Sequence, residues 1–156
     1  MRRRHLALCS LLALSCVFLG CTDDTTTDDT ETTHVDPPTM ELVSPAEGAC
    51  VAIGSDPNVR IPFVLKTSWL YLRPPGVCGE AAQCGQLLLW ANDKLVERSS
   101  SNVIEWDMFT VIERYGEFKI RIAAFYDTGA NILNAEGKPL ELTRTITTAV
   151  SCPAEP

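Results

Sequence analysis

Beyond residue 34 this chain of 156 residues has no histidine; its two, His5 and His34, lie near the N-terminus. That absence removes Ser-His-Asp and Cys-His nucleophiles, His-ligated zinc and His proton shuttles from any domain built by residues 39–156. Basic residues are also short, 13 Lys and Arg against 20 Asp and Glu. Phosphate attraction is therefore weak, and nucleic acid is not an expected partner. No C-x₂-C pair and no Gly-rich phosphate loop occurs, so neither a metal nor a cofactor is expected. No apolar run reaches the roughly 20 residues a bilayer-spanning helix needs. The longest, Leu6 to Gly20, has 15. Past residue 39 no stretch repeats its apolar residues with the 3.6-residue period of a helix.

What is present begins with an export signal. Arg2, Arg3 and Arg4 form a positive start, and the uncharged run to Gly20 has the length of a signal-peptide core. Small Gly20 then precedes Cys21, and Thr22 and Asp23 end the apolar run abruptly. Val17 to Cys21, VFLGC, resembles the lipobox of bacterial lipoproteins, in which the Cys after a small residue becomes the acylated first residue. The likeness is closest at Gly20-Cys21; Phe18 and Leu19 fit the upstream pattern loosely. Ser15-Cys16 is a competing site, but apolar residues rather than a polar spacer follow it. The resemblance implies residues 1–20 as a removed signal peptide, lipidation at Cys21 and a membrane partner reached through palmitate-type chains. Each buried methylene contributes about 0.8 kcal/mol, so several chains on one Cys anchor stably.

Residues 21–38 then read as a tether. The 17 residues from Thr22 to Pro38 include seven Thr, six Asp or Glu and two Pro, with Val35 the one aliphatic side chain. Such a segment cannot bury enough surface to offset its ordering entropy. Losing three Arg and no acid with the signal takes the net charge from −7 to −10. An acidic chain is repelled by anionic headgroups, so acyl chains rather than a charged surface must hold it to the membrane.

Seven cysteines occur. Cys9 and Cys16 leave with the signal and Cys21 carries lipid, which leaves Cys50, Cys78, Cys84 and Cys152. An even number in an exported domain reads as a disulfide framework. Four cysteines allow three pairings. The favoured one closes the short loop CGEAAQC with Cys78–Cys84 and joins the domain's ends with Cys50–Cys152.

Residues 39–156 are enough for one domain with one core. They read as short β-rich runs separated by turn residues. Met40–Val43 and Cys50–Ile53 come first. Val59–Lys66 follows, with Val59, Ile61, Phe63 and Leu65 on one face and Pro62 marking an edge or bulge. Leu87 to Trp90 is continuously apolar, as in a strand covered on both faces, which places Trp90 in the core. Asn92-Asp93 is a hairpin turn candidate. Val103–Phe109 alternates, with Ile104, Trp106 and Met108 on one face. In Phe118–Tyr126 the residues Phe118, Ile120, Ile122 and Ala124 face inward, and Leu142–Val150 ends the series. Seven or eight strands predict an antiparallel β-sandwich.

SPAEG near the start, GEFKIRIAAFYDTG and the last Thr/Val-rich strand resemble the bacterial Ig-like and fibronectin-III-like modules of exported proteins. CGQLLLWANDKLV is similar to a motif in secreted proteins of unknown function, where a CGH or GHHH stretch opens a strand ending in a short Asp turn. Here Gln86 and Leu88 stand where those proteins have His, so no His-dependent role carries over. The resemblance implies an Ig-like fold and a non-catalytic module on the periplasmic face or cell surface, with an envelope protein or glycan as partner.

Glu97, Glu105, Asp107 and Glu113 could form a carboxylate pair for acid–base work, but nothing in their spacing signals a cleft. Solvated strand faces account for them, and an enzyme is not expected. Asp127 to Asn131 offers oxygens loosely like a calcium loop, yet lacks the later Gly and Glu in register. Trp69, Tyr71, Pro74 and Pro75 form the candidate contact surface, in an aromatic, Pro-rich loop pinned by a disulfide.

Overall fold

A computed structural model describes residues 35–153 except Glu80, Ile112 and the Thr110 side chain. The expected signal peptide, the lipidation expected at Cys21 and the expected tether as far as residue 34 lie outside the described residues.

Among the described residues nine strands form, against the seven or eight expected: β1 (Thr39–Ser44), β2 (Cys50–Ala52), β3 (Arg60–Ser68), β4 (Tyr71–Leu72), β5 (Cys84–Ala91), β6 (Lys94–Ser99), β7 (Val103–Asp107), β8 (Gly116–Phe125) and β9 (Glu141–Ala149). The two shortest strands pair in parallel, β2 with β9 and β4 with β5. A single 3₁₀ turn at Met108–Thr110 follows β7, and the Asp107 carboxylate caps it by accepting the Phe109 amide.

The smaller sheet runs β1-β3-β7. The larger runs β2-β9-β8-β5-β4, with β6 also on β5, beyond β4 along the same strand. The chain changes sheets at every step from β1 to β4, and again between β6 and β7 and between β7 and β8, which makes an Ig-like β-sandwich. The alternation explains the core. Ile61, Phe63 and Leu65 of β3 and Ile104 and Trp106 of β7 meet Leu87 and Leu89 of β5 and Ile120 and Ile122 of β8 in one buried cluster. Trp106 and Phe118 link the sheets edge to face, centroids 5.1 Å apart, an arrangement worth about 1 kcal/mol beyond area burial.

Asn92 and Asp93 have φ of 48° and 64°, the paired left-handed conformation that a right-twisted two-residue hairpin requires. Pro62 occupies the middle strand of its sheet, and the sequence expectation of a local edge still holds there. β1 shifts register between Leu42 and Ser44 and its pairing stops at Val64, so only β7 pairs beside Pro62.

Two expectations need correction. Trp90 is not a core residue. It lies half-buried on the outer face of the larger sheet, with Arg121 stacked 3.7 Å from its ring centroid and Phe125 tilted against it. A continuous apolar run carries no face information; the register, Leu87 and Leu89 inward, puts Trp90 outside. The tether is also shorter than residues 22–38. Pro38 is buried, and the Asp36 carbonyl accepts a 2.7 Å hydrogen bond from Gln83 Nε2.

Both favoured disulfides are present, Cys50–Cys152 across 102 residues and Cys78–Cys84 across six. They fit an oxidising compartment outside the cytoplasm.

Candidate partner surface

Leaving β3, the chain alternates between exposed and buried side chains. Leu70 and Leu72 enter the core, while Trp69 and Tyr71 remain 52% and 55% exposed. Two buried leucines thus fix the backbone that presents two aromatic rings. Tyr71 N donates to Gln83 O and Arg73 N donates to Gly85 O, tying β4 to the start of β5. Trp69 holds φ at 56°, a left-handed conformation that costs a bulky side chain about 1 kcal/mol. A packed ring would offset that cost by burial; this ring is half in water.

Pro74, Pro75 and Val77 continue the exposed surface. Pro75 and Gly76 occupy the centre of a turn closed by Val77 N donating to Pro74 O at 3.2 Å, and Gly76 has φ of 79°. Proline first and a left-handed glycine second is the sequence of a type II turn. Val77 is 62% exposed; it belongs to the surface, although the aromatic and proline residues that mark this loop in sequence do not include it.

The loop is fastened from beneath by Asp127. Its Oδ2 accepts the backbone amides of Gly76, at 2.9 Å, and Cys78, at 3.2 Å, and its Oδ1 accepts Gln86 Nε2 at 3.1 Å. Gln86 is buried, so the carboxylate satisfies an amide that would otherwise be stranded. Both oxygens of Asp127 are thereby occupied by protein donors, which assigns this residue a structural role rather than that of a calcium ligand. Replacing Asp127 by Ala is expected to cost about 2 kcal/mol of stability, as hydrogen bonds to a charged acceptor do. Amide exchange at Gly76 and Cys78 should accelerate more than at β8; uniform acceleration would mean that Asp127 does not fasten the loop.

The candidate carboxylates are partly gathered. Glu97, Glu105 and Asp107 line an open groove of about 430 Å³ with Arg60 and Arg98, while Glu113 lines a separate cleft with Trp106 and Phe118. Arg60 Nη1 lies 3.1 Å from Glu105 Oε2, and its Nε lies 4.0 Å from Asp107 Oδ2. All three side chains are well exposed, and such pairs contribute at most about 1 kcal/mol. Among the described residues, no group of three or more His, Cys, Asp or Glu is arranged to hold a metal ion.

No family model matches the chain, and no curated protein does. Among solved structures, a structure of the fibronectin(III)-like modules of Clostridium thermocellum CbhA aligns over 73% of this chain and 99% of its own, at 10% identity and a TM-score of 0.45.

Proposed function

We propose that this chain is a bacterial lipoprotein, exported, acylated at Cys21 and held on an envelope membrane, whose sandwich binds rather than catalyses. Its contact surface is Trp69, Tyr71, Pro74 and Pro75, extended by Val77. The observation that carries this reading is an exposed aromatic and proline surface on a backbone fixed by two buried leucines, one disulfide and Asp127. Rigid presentation reduces the ordering entropy lost on contact. The carboxylate groove favours no reaction, since its acids stand open to solvent and two of them face Arg60.

Intact mass of the mature protein from host membranes tests the anchor. An acylated N-terminal Cys21 and a gain of about 4 Da on reduction, one per thiol of two bridges, are expected. A mature chain without lipid would remove the anchor. Trp69→Asn tests the surface, because Asn tolerates the left-handed backbone. The variant should melt at or slightly above the wild-type temperature while losing capture of envelope components. A clear fall in melting temperature would make Trp69 a packing residue instead.

A further inference from the structure

The contact surface and the chain's point of entry lie at the same end of the sandwich. Thr39, the first residue of β1, pairs with Ser68, the last of β3, so the chain enters beside Trp69. Asp36 is hydrogen-bonded to Gln83 of the disulfide loop, and Tyr71 N donates to the Gln83 carbonyl. Fourteen residue steps separate Cys21 from Val35. Backbone geometry limits fourteen steps to about 50 Å even at full extension. An acylated Cys21 would therefore keep this end, rather than the opposite one, within a short distance of the bilayer.

The composition of that end matches the same neighbour. Residues 69–79 hold Trp69, Tyr71, two prolines and Val77, with one charge, Arg73, and no acid, in a mature chain that is otherwise strongly acidic. Trp and Tyr are the side chains that settle at the membrane–water interface, where an apolar ring and a polar edge are both satisfied. Arg73 is exposed between Tyr71 and Pro74 and is suited to the phosphates of the headgroups. A weak interfacial affinity suffices, because the tether raises the local concentration of lipid to the millimolar range or above.

We propose that the Trp69–Val77 surface docks onto the lipid interface of the membrane that anchors the chain, so that the sandwich stands on its own bilayer with the opposite end facing outward. The occupant is lipid headgroup and upper acyl chain. This inference rests on the anchor proposed above, and its test supplies an anchor independently. In the mature chain Cys21 is the one cysteine outside the two disulfides, so its thiol can be coupled to a maleimide lipid in vesicles of phosphatidylethanolamine and phosphatidylglycerol. Tryptophan emission is then read with lipids brominated either near the headgroup or near the chain ends.

Docking predicts quenching by the near-headgroup bromines, less by the deep ones, and loss of that quenching in Trp69→Asn, with Trp90 and Trp106 as the unchanged background. It also predicts that aqueous acrylamide quenches Trp69 less in the tethered protein than in the untethered one. Equal lipid quenching in wild type and Trp69→Asn, or undiminished acrylamide access, overturns it. So does shielding of Trp69 that occurs in native membranes but not on pure lipid, which would give the surface to a membrane protein. Docking of the maleimide-tethered protein when the native chain carries no acyl group would sink the anchor and leave the lipid-binding surface standing. An acylated chain without docking would do the reverse.

Discussion

Replacing Cys50 and Cys152 together by Ser is expected to lower the unfolding free energy by about 4–5 kcal/mol, whereas the same change at Cys78 and Cys84 removes about 2 kcal/mol. The difference follows from loop length. Chain entropy lost by cross-linking rises with the logarithm of the loop closed, and the two bridges span 102 and six residues. The native fold around the long bridge has other support. β2 pairs with β9 from Cys50↔Thr147 to Ala52↔Ala149, and Ile53 N and Gly54 N continue to the carbonyls of Ala149 and Val150. The sandwich should therefore stay folded without the bridge, and the loss should come mainly from a freer unfolded chain. Urea unfolding checks this, with a steeper denaturant dependence in the Cys50/Cys152 double variant because its unfolded state is more open. Equal losses from the two bridges would show that local native contacts, not loop entropy, set their worth.

Gly85→Ala should be nearly as damaging, about 3 kcal/mol or more. A Cβ built on Gly85 would lie 2.0 Å from the Phe125 carbonyl oxygen and 2.9 Å from Ile132 Cδ1. The isoleucine can rotate away. The carbonyl belongs to the end of β8, whose Phe125 pairs with Gln86, so relief requires the backbone to move. Moving it disturbs the site, because Gly85 also pairs with Leu72 and accepts the Arg73 amide. Overpacking in a close-packed interior costs about 1–3 kcal/mol when side chains can adapt, and more when they cannot. Exchange at the Tyr71 and Arg73 amides should rise with the loss of stability. An unchanged urea midpoint would mean that β5 and β8 separate without penalty.

Gly85 also shows what a motif can hide. In CGQLLLW the sequence draws attention to Gln86, the one polar side chain ahead of an apolar run. The structure gives each residue of the triplet a physical reason. Cys84 closes the loop, Gly85 permits the approach of β8, and Gln86 reaches a carboxylate 41 residues away. That partner, Asp127, stands out in sequence only as the start of an oxygen-rich turn loosely like a calcium loop. Nothing local marks it as that partner, since its other donors, Gly76 and Cys78, are 51 and 49 residues distant.

The sequence by itself determined whatever depends on period, composition and parity. Alternation from Phe118 to Ala124 and from Val103 to Met108 specifies strands and their inward faces, because side chains on a pleat change sides at every residue. Asn92-Asp93 specifies a hairpin, and four domain cysteines specify two bridges. The lack of histidine closes whole classes of chemistry. Only the tertiary structure decided what depends on residues far apart meeting. It put Trp90 outside, in a run whose continuous apolar residues mark no face, because register with β8 chooses the face of β5. It relieved Pro62 by ending β1 at its shoulder, and it brought Asp127 beneath the Trp69–Cys84 loop. It also set that loop beside the chain's entry point, which follows from β1 and β3 running antiparallel. No local pattern encodes such a placement, because it is a property of strand order rather than of any one strand.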